Sequence, residues 1–435
     1  MSTATTYKPA AKWPALPVVI LLLTFTLPPE TSLSVGSLRL SPYRVTLIAL
    51  IVPAINMLLQ DRHNPAGWPD GLMAMHGLWA GLSLIVTMGL SEGIETAGIY
   101  FVETFGAYVV ARAYIKTTDD YAAVLKLIFT VAAGLLIFAA AESFSGTHIL
   151  REPFKAIFGG SGPHYIEPRL GLTRAFASFE HPILFGVFSA SAFAGTYYIL
   201  GNAQLNLASV KKLAAIGMAT FFSLSGGPFT ALALQMGIIA WDRFTAGVAN
   251  RWTILLAIMA AAWLVLTMAS NRSPILVFIS YLTFSANSAY NRVHIWNYGT
   301  AEVARHPIFG IGLNDWIRAP WMSSSMDNFW LLTTVRYGLP ALLFLLLSLV
   351  IIGMRQTRQK STSDANKNAR KSWLVTLLSF TLAGLTVHFW NSLMVQFFFL
   401  IGCGVALTQE HRPSQAKQQF TPQKSPQIQE RLLWI

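Results

Sequence analysis

The side chains of this sequence with chemistry to offer are arginines, with a few acids and histidines close to them. Arg169 and Arg174 stand in EPRLGLTRAFASFEHP, and Arg292 and Trp296 stand in NRVHIWNYGTAEVARHPIFGIGLNDW. Arg305 and His306 lie within that second stretch, Arg318 follows it, and Arg272 precedes it in SNRSP. A guanidinium is a planar fork that grips phosphate or carboxylate through two parallel hydrogen bonds, whereas a lysine ammonium is a hydrated point charge. Asp327-Asn328 then opens the apolar run FWLLTTVRYGLPALLF. A carboxylate there can accept a proton from a hydroxyl. It can equally cap the helix that follows, because Asp is a favoured N-cap residue.

The elements that must position these groups are membrane helices. Of 435 residues, 54% are hydrophobic and only 11% charged, far from the balance of a soluble domain. About twelve stretches approach the ~20 apolar residues that cross a hydrocarbon core: Leu16–Pro28, Pro42–Leu59, Leu72–Leu90, Thr96–Tyr114, Ala122–Phe144, His181–Leu200, Val210–Leu224, Phe229–Trp241, Trp252–Met268, Phe329–Met354, Trp373–Trp390 and Leu393–Thr408. The expectation is an all-α polytopic membrane protein forming one integral domain, residues 1–435.

Positive charge is retained in cytoplasmic loops. The segment Arg355–Lys371, with six basic residues and one acid, is therefore expected to be cytoplasmic. Counting helices from it places both termini inside, with the Gln-, Pro- and Ser-rich tail 409–435 expected to be disordered. Two long loops then face outward, Ser145–Glu180 and Ala269–Asn328. Every lysine but Lys155 falls inside, so the outer basic residues are almost all arginine. That bias points to a grip on phosphate or carboxylate, and the alternative for each arginine is a solvated loop charge or a lipid-headgroup contact. Helix interiors read as nearly free of charge.

Blander readings accompany several of these features. Glu180 and Pro182 suit a helix N-terminus, since an acid complements the macrodipole and Pro fits the first turn; Arg174 has no such explanation. Arg292, Trp296 and Ala304 follow helical spacing and predict a short amphipathic helix, stopped at His306-Pro307, with Gly310 and Gly312 allowing a turn. A His before Pro is more often structural than catalytic. FGIGLND lacks the Lys and the setting of a phosphate-binding loop. The net charge of +12 is the topological signal already described and gives no ground for nucleic acid. Cys403 is the sole cysteine, so no intramolecular disulfide forms. No His and carboxylate pair has ligand spacing in the outer loops, so no metal or other cofactor is expected. The first apolar stretch lacks a small-residue cleavage site and reads as a retained helix.

The succession RAFASFEHP, RVHIW, ARHPIFGIG and DNFWLLTTVRYGLP resembles the O-antigen ligase and Wzy-type polysaccharide polymerase superfamily, in detail over Arg169 to Pro340 and in topology throughout. The resemblance implies about a dozen helices, GT-C-like, with a large periplasmic loop carrying short amphipathic helices. It implies the bacterial inner membrane and a glycan donor on undecaprenyl pyrophosphate, with a second glycan as acceptor. Membrane lipid, a flippase and a chain-length regulator are further implied partners. Position by position, Arg174 matches the first-loop Arg, Arg292 and Trp296 the amphipathic segment, and His306-Pro307 with Gly310 and Gly312 the HPxxGxG turn.

The family's last motif, His-Asn, nine residues, then Gly, appears as Asp327-Asn328, Phe329 to Tyr337, then Gly338. The register is kept and the His has become Asp, which favours a polymerase over a ligase. Ser225-Gly226-Gly227-Pro228 stands where many members have Ser-Arg-Gly, and Arg272 is a candidate substitute. The expected function is metal-independent glycosyl transfer: polymerisation of lipid-linked repeat units, or else ligation of a finished glycan. Arg174 and Arg292 would steady the departing pyrophosphate and Asp327 would take the acceptor's proton. Arg169, Arg272, Arg305, Arg318, His306, Asn328 and Trp296 would bind substrate. A transporter or flippase would need ionisable groups deep within helices and recognisable repeats, and a bare scaffold would leave the arginine bias without a cause.

Overall fold

The computed structural model describes residues 12–36, 38–62, 64–160, 162–271, 274, 277, 286–359 and 363–408. Arg272 and the tail from 409 lie outside them. Nearly every apolar stretch is helix. The order is α1 (Leu16–Thr24), a small antiparallel hairpin of Leu33–Val35 with Leu38–Leu40, then α2 (Pro42–Gln60), α3 (Trp68–Met88) and α4 (Leu90–Phe101). A wide turn at Val102–Gly106 carries α4 into α5 (Ala107–Tyr114). Next come α6 (Thr118–Ser145), α7 (Arg151–Phe158), α8 (Pro182–Leu200), α9 (Leu207–Phe222), α10 (Gly226–Phe244) and α11 (Arg251–Ala269). The last are α12 (Ala286–Arg305), α13 (Phe329–Arg358), α14 (Asp364–Ala383) and α15 (Ser392–Leu407).

Six of these, α2, α3, α6, α8, α11 and α13, are long and apolar enough to cross a membrane. Helix α11 makes the point most sharply: it is apolar on every face and buries none of its residues in the protein. A helix hydrophobic all round needs apolar surroundings. This is the make-up of an all-α membrane protein.

Local chemistry sets the helix ends. Thr117 and Asp120 form a capping box at α6, with Thr117 Oγ1 accepting from the Asp120 N–H at 3.1 Å and Asp120 Oδ2 accepting from the Thr117 N–H at 3.0 Å. Pro182 begins α8 behind His181, whose Nδ1 accepts from the Ile183 N–H at 3.1 Å. At α13 the cap is Asn328, accepting from the Leu331 N–H at 3.0 Å.

Two predicted boundaries are corrected. The stretch expected to be helical over Trp373–Trp390 stops at Ala383, and residues 384–391 cross the end of the molecule in irregular backbone. The Phe329 N–H takes the Gly384 carbonyl at 2.8 Å and the Val387 carbonyl at 3.1 Å, which anchors that path. The basic loop expected over Arg355–Lys371 is mostly helix, because α13 runs on through Arg358 and α14 starts at Asp364.

Contacts sort the connecting segments onto two ends. At one end the turn Pro29–Thr31 before the hairpin meets α7 through Arg151 Nε to Glu30 at 3.0 Å, residues 146–181 meet the α9–α10 turn through Arg169 to the Leu224 carbonyl at 2.8 Å, and α12 meets residues 384–391 through Arg292 to the Thr386 carbonyl at 3.1 Å. At the other end Lys116 pairs with Asp61 at 2.9 Å, Arg112 with Asp70 at 3.2 Å and Lys371 with Asp242 at 2.8 Å.

Helix α13 is broken at Gly338, whose φ of 80° and ψ of 170° lie outside the helical region. The break strands carbonyls: Pro340 has no N–H to offer Arg336, and Leu339 donates instead to the Pro307 carbonyl at 2.8 Å. The turn after α12 supplies the missing donors, Ile311 N–H to the Val335 carbonyl and Gly312 N–H to the Arg336 carbonyl, each at 2.9 Å. The approach is so close that a Cβ at Gly338 would stand 1.9 Å from the Ile308 oxygen, and one at Gly310 would stand 2.4 Å from the Val335 oxygen. Two sequence stretches, HPIFGIG and VRYGLP, are thus halves of one structural unit.

Candidate functional site

The site is built where residues 146–181, the α9–α10 turn, α12 and residues 384–391 meet. The RAFASFEHP segment is pinned from below by Glu142 of α6, which is 1% exposed and accepts from the Phe176 and Ala177 N–H groups at 3.1 and 2.9 Å. His148 also bonds to that carboxylate. The Ala175 N–H donates to the Phe222 carbonyl at 2.9 Å. So fixed, Arg174 turns its buried guanidinium to Ser225 Oγ at 2.7 Å.

Three arginines gather here, two from residues 146–181 and one from α12. Arg174 donates to Ser225, Arg169 to the Leu224 carbonyl at 2.8 Å and Arg292 to the Thr386 carbonyl at 3.1 Å. All three acceptors are neutral, and no described carboxylate lies within ion-pair distance of the three guanidinium groups. Burial, with the neighbouring Arg169 adding to it, pulls Arg174 down to about 10. Burial also lowers Arg292, with Asp327 opposing and Arg169 reinforcing the shift, and lowers Arg169 itself. Each cation therefore feels another, and Arg292 Nη1 is buried with no hydrogen-bond partner. An anion would relieve repulsion and satisfy that nitrogen together. His181, beside this cluster, is held down to about 3 by burial first and then by Arg174, His164 and Arg169, so it is neutral at physiological pH.

Asp327 is half-buried, accepts from Ser325 Oγ at 2.8 Å and acts electrostatically on Arg292. The capping alternative for it is overturned, since Asn328 holds the cap. Trp296 packs with the small cluster of Ile295, Trp316 and Met326 under α12. Arg305, Arg318 and His306 find partners within their own segment. Burial opposes the charge on Glu302, yet Arg305 Nη2 at 2.5 Å and the Ile317 N–H at 3.1 Å hold its carboxyl below the usual range, with His306 Nε2 at 3.5 Å. Arg318 pairs with Asp315 and donates to the Met322 carbonyl at 3.3 Å. These groups brace the segment that follows α12.

Several residues were missed from sequence. Residues 384–391 form a hub in which Thr386 serves Arg292, Asn391 bonds to Glu180, and the Trp390 ring lies 5.6 Å from both His181 and His388. Beyond Trp390 opens a cavity of about 180 Å³ lined by Glu103, Arg336 and His388. Glu103 corrects the expectation that helix interiors are nearly free of charge: it is 3% exposed between α4 and α5, 2.6 Å from Arg44 Nε and 3.1 Å from the Tyr43 hydroxyl. A lone acid inside an apolar stretch is the signal that identifies such a group. Among the described residues no cluster of three or more His, Cys, Asp or Glu side chains is arranged to hold a metal ion.

No family model matches the chain, and no curated protein matches it.

Proposed function

We propose that this protein is a bacterial inner-membrane glycosyltransferase that polymerises oligosaccharide units carried on undecaprenyl pyrophosphate, working on the periplasmic face without a metal. The observation that carries this reading is the gathering of Arg169, Arg174 and Arg292 with only neutral oxygens as partners. Fixed cations act where negative charge develops on a leaving group, commonly the largest single catalytic contribution. In the reaction the bond between the anomeric carbon and the pyrophosphate oxygen breaks, and that oxygen leaves with the electron pair among the arginines. The acceptor hydroxyl forms the new bond and gives its proton to Asp327. A general base of this kind contributes roughly 10²–10⁴-fold.

A topology of twelve passes fits this chemistry: α1, α2, α3, α4 with α5, α6, α8, α9, α10, α11, α13, α14 and α15. The sorting of segments onto two ends supports it, with acid-paired lysines at the end assigned to the cytoplasm. The chain's resemblance to the O-antigen ligase and Wzy-type superfamily supports the choice of substrate, and Asp327 in place of His supports polymerase over ligase.

The buried Glu103–Arg44 pair and the break in α13 are what favour transport instead. Purified protein incubated with a lipid-linked oligosaccharide separates the two. A ladder of lengthened glycans with free undecaprenyl pyrophosphate supports transfer. Passage of the lipid across a vesicle membrane without lengthening supports transport and removes the proposal.

A further inference from the structure

One arginine left unused by this function is Arg336. It stands on the turn before the α13 break and lines the cavity of about 180 Å³ between α4, α13 and residues 384–391. Its backbone carbonyl is taken by the Gly312 N–H at 2.9 Å and Ser83 Oγ at 3.1 Å. Its guanidinium has no described carboxylate within ion-pair distance. His388 and Tyr100 feel its charge, and Tyr337 both feels it and is hydrogen-bonded to its side chain, a neutral partner. Glu103 is the one acid on the cavity wall, and it is already held by Arg44 at 2.6 Å and by the Tyr43 hydroxyl at 3.1 Å. The rest of the lining is largely apolar, Ile99, Leu332, Phe389 and Met394 among it, with Thr96 and Thr333 as small polar groups.

A half-buried guanidinium without a counter-charge is costly in such surroundings, and apolar walls beside it suit a hydrocarbon chain. We infer that this cavity binds a phosphate group carried on an apolar chain, with Arg336 as the phosphate's partner, as a second anion site distinct from that of Arg169, Arg174 and Arg292. The two sites flank one segment: Thr386 receives Arg292 on one side and His388 lies in the field of Arg336 on the other. Two lipid phosphates are then held at once. Assigning the second to the acceptor lipid rests on the function proposed above. The chain itself could belong to an isoprenyl carrier or to bulk phospholipid.

The test is calorimetric titration of the full-length protein in detergent micelles with farnesyl diphosphate, dihexanoylphosphatidylglycerol and inorganic pyrophosphate. Wild type is expected to bind farnesyl diphosphate at two sites. Arg336→Gln should lose or weaken one of them by roughly ten- to a hundredfold, and Met394→Trp, which fills the cavity and leaves the arginine in place, should do the same. Arg174→Gln should affect only the other site. Tighter binding of farnesyl diphosphate than of phosphatidylglycerol at the Arg336 site names the carrier as the source, and the reverse order names bulk lipid. Two undiminished sites in both Arg336→Gln and Met394→Trp would overturn the inference, as would inorganic pyrophosphate binding there as tightly as farnesyl diphosphate. Loss in those variants alongside two intact sites in Arg174→Gln would keep the inference and remove the function proposed above.

Discussion

Gly312 donates its N–H to the Arg336 carbonyl at 2.9 Å, across a gap of more than twenty positions in the chain. That bond joins the segment after α12 to the break in α13, and it makes glycine at the junction a matter of geometry. Gly338→Ala meets both an unfavourable positive φ and an oxygen 1.9 Å away, so a loss on the order of 3 kcal/mol is expected. Gly217→Ala, in open space at an ordinary helical position, is the control. Thermal unfolding in detergent should separate the two variants by many degrees.

Asp327 and Asn328 are expected to divide their labours. Asn328→Ala removes the α13 cap and should cost about 1 kcal/mol of stability. Asp327→Asn should leave unfolding unchanged and abolish polymer formation, because an amide accepts no proton. Asp327→His restores a base and should recover part of the yield. Unfolding curves and polymer gels on the same preparations check both statements, and an active Asp327→Asn variant would end the base assignment.

Lysine is not expected to replace the cluster arginines. Arg174→Lys and Arg292→Lys keep the charge and lose the planar fork, and should each lower polymer yield at least about tenfold. Arg305→Lys keeps a cation beside the buried Glu302 in a pair that braces its own segment, and yield should stay close to wild type. Immunoblots of membrane abundance make the comparison fair.

Acid should destabilise the protein through its buried imidazoles. His181 and His388 are both held down to about 3, by burial first, then by Arg174 at His181 and by Arg336 at His388. The unfolded chain binds these protons near the ordinary value of about 6.5, while the folded chain does not. The unfolded state therefore holds more protons between those two values, and stability falls as pH drops through that window. The midpoint of thermal unfolding should decline from pH 7 to pH 5, and less steeply in His181→Gln. Equal slopes in the two proteins would show that His181 titrates freely.

Membrane topology is open to labelling. In a Cys403→Ser background, Ser324→Cys should react with an impermeant maleimide from the periplasmic side, and Ser363→Cys only after rupture of the membrane. The opposite pattern inverts the molecule.

What was legible in the sequence follows from range. Apolar stretches announce helices locally, and the helix expected around Arg292 and Trp296 is there as α12. Residues 384–391 were hidden because Val387, Phe389 and Trp390 look like more membrane helix, although their path is set by the Phe329 N–H some fifty residues away. Asp327 and Asn328 are equally good caps by type, and only geometry distinguishes them. Glu103 went unweighed because one acid hardly alters an apolar average. HPIFGIG reads as a turn by itself, and nothing within it points to the stranded carbonyls of Val335 and Arg336.

Those stranded carbonyls bear on how the chain is made. A helix entering a bilayer must bring its backbone polar groups already satisfied, and α13 alone cannot, because its own ladder fails at Gly338. The backbone donors it lacks lie in residues 311–312, synthesised just before it, with Ser83 of α3 adding a hydroxyl to the Arg336 carbonyl. Insertion of α13 and docking of the preceding segment are therefore expected to be coupled. A chain whose 307–312 turn is damaged would be expected to stall at that helix, with the later helices waiting behind it.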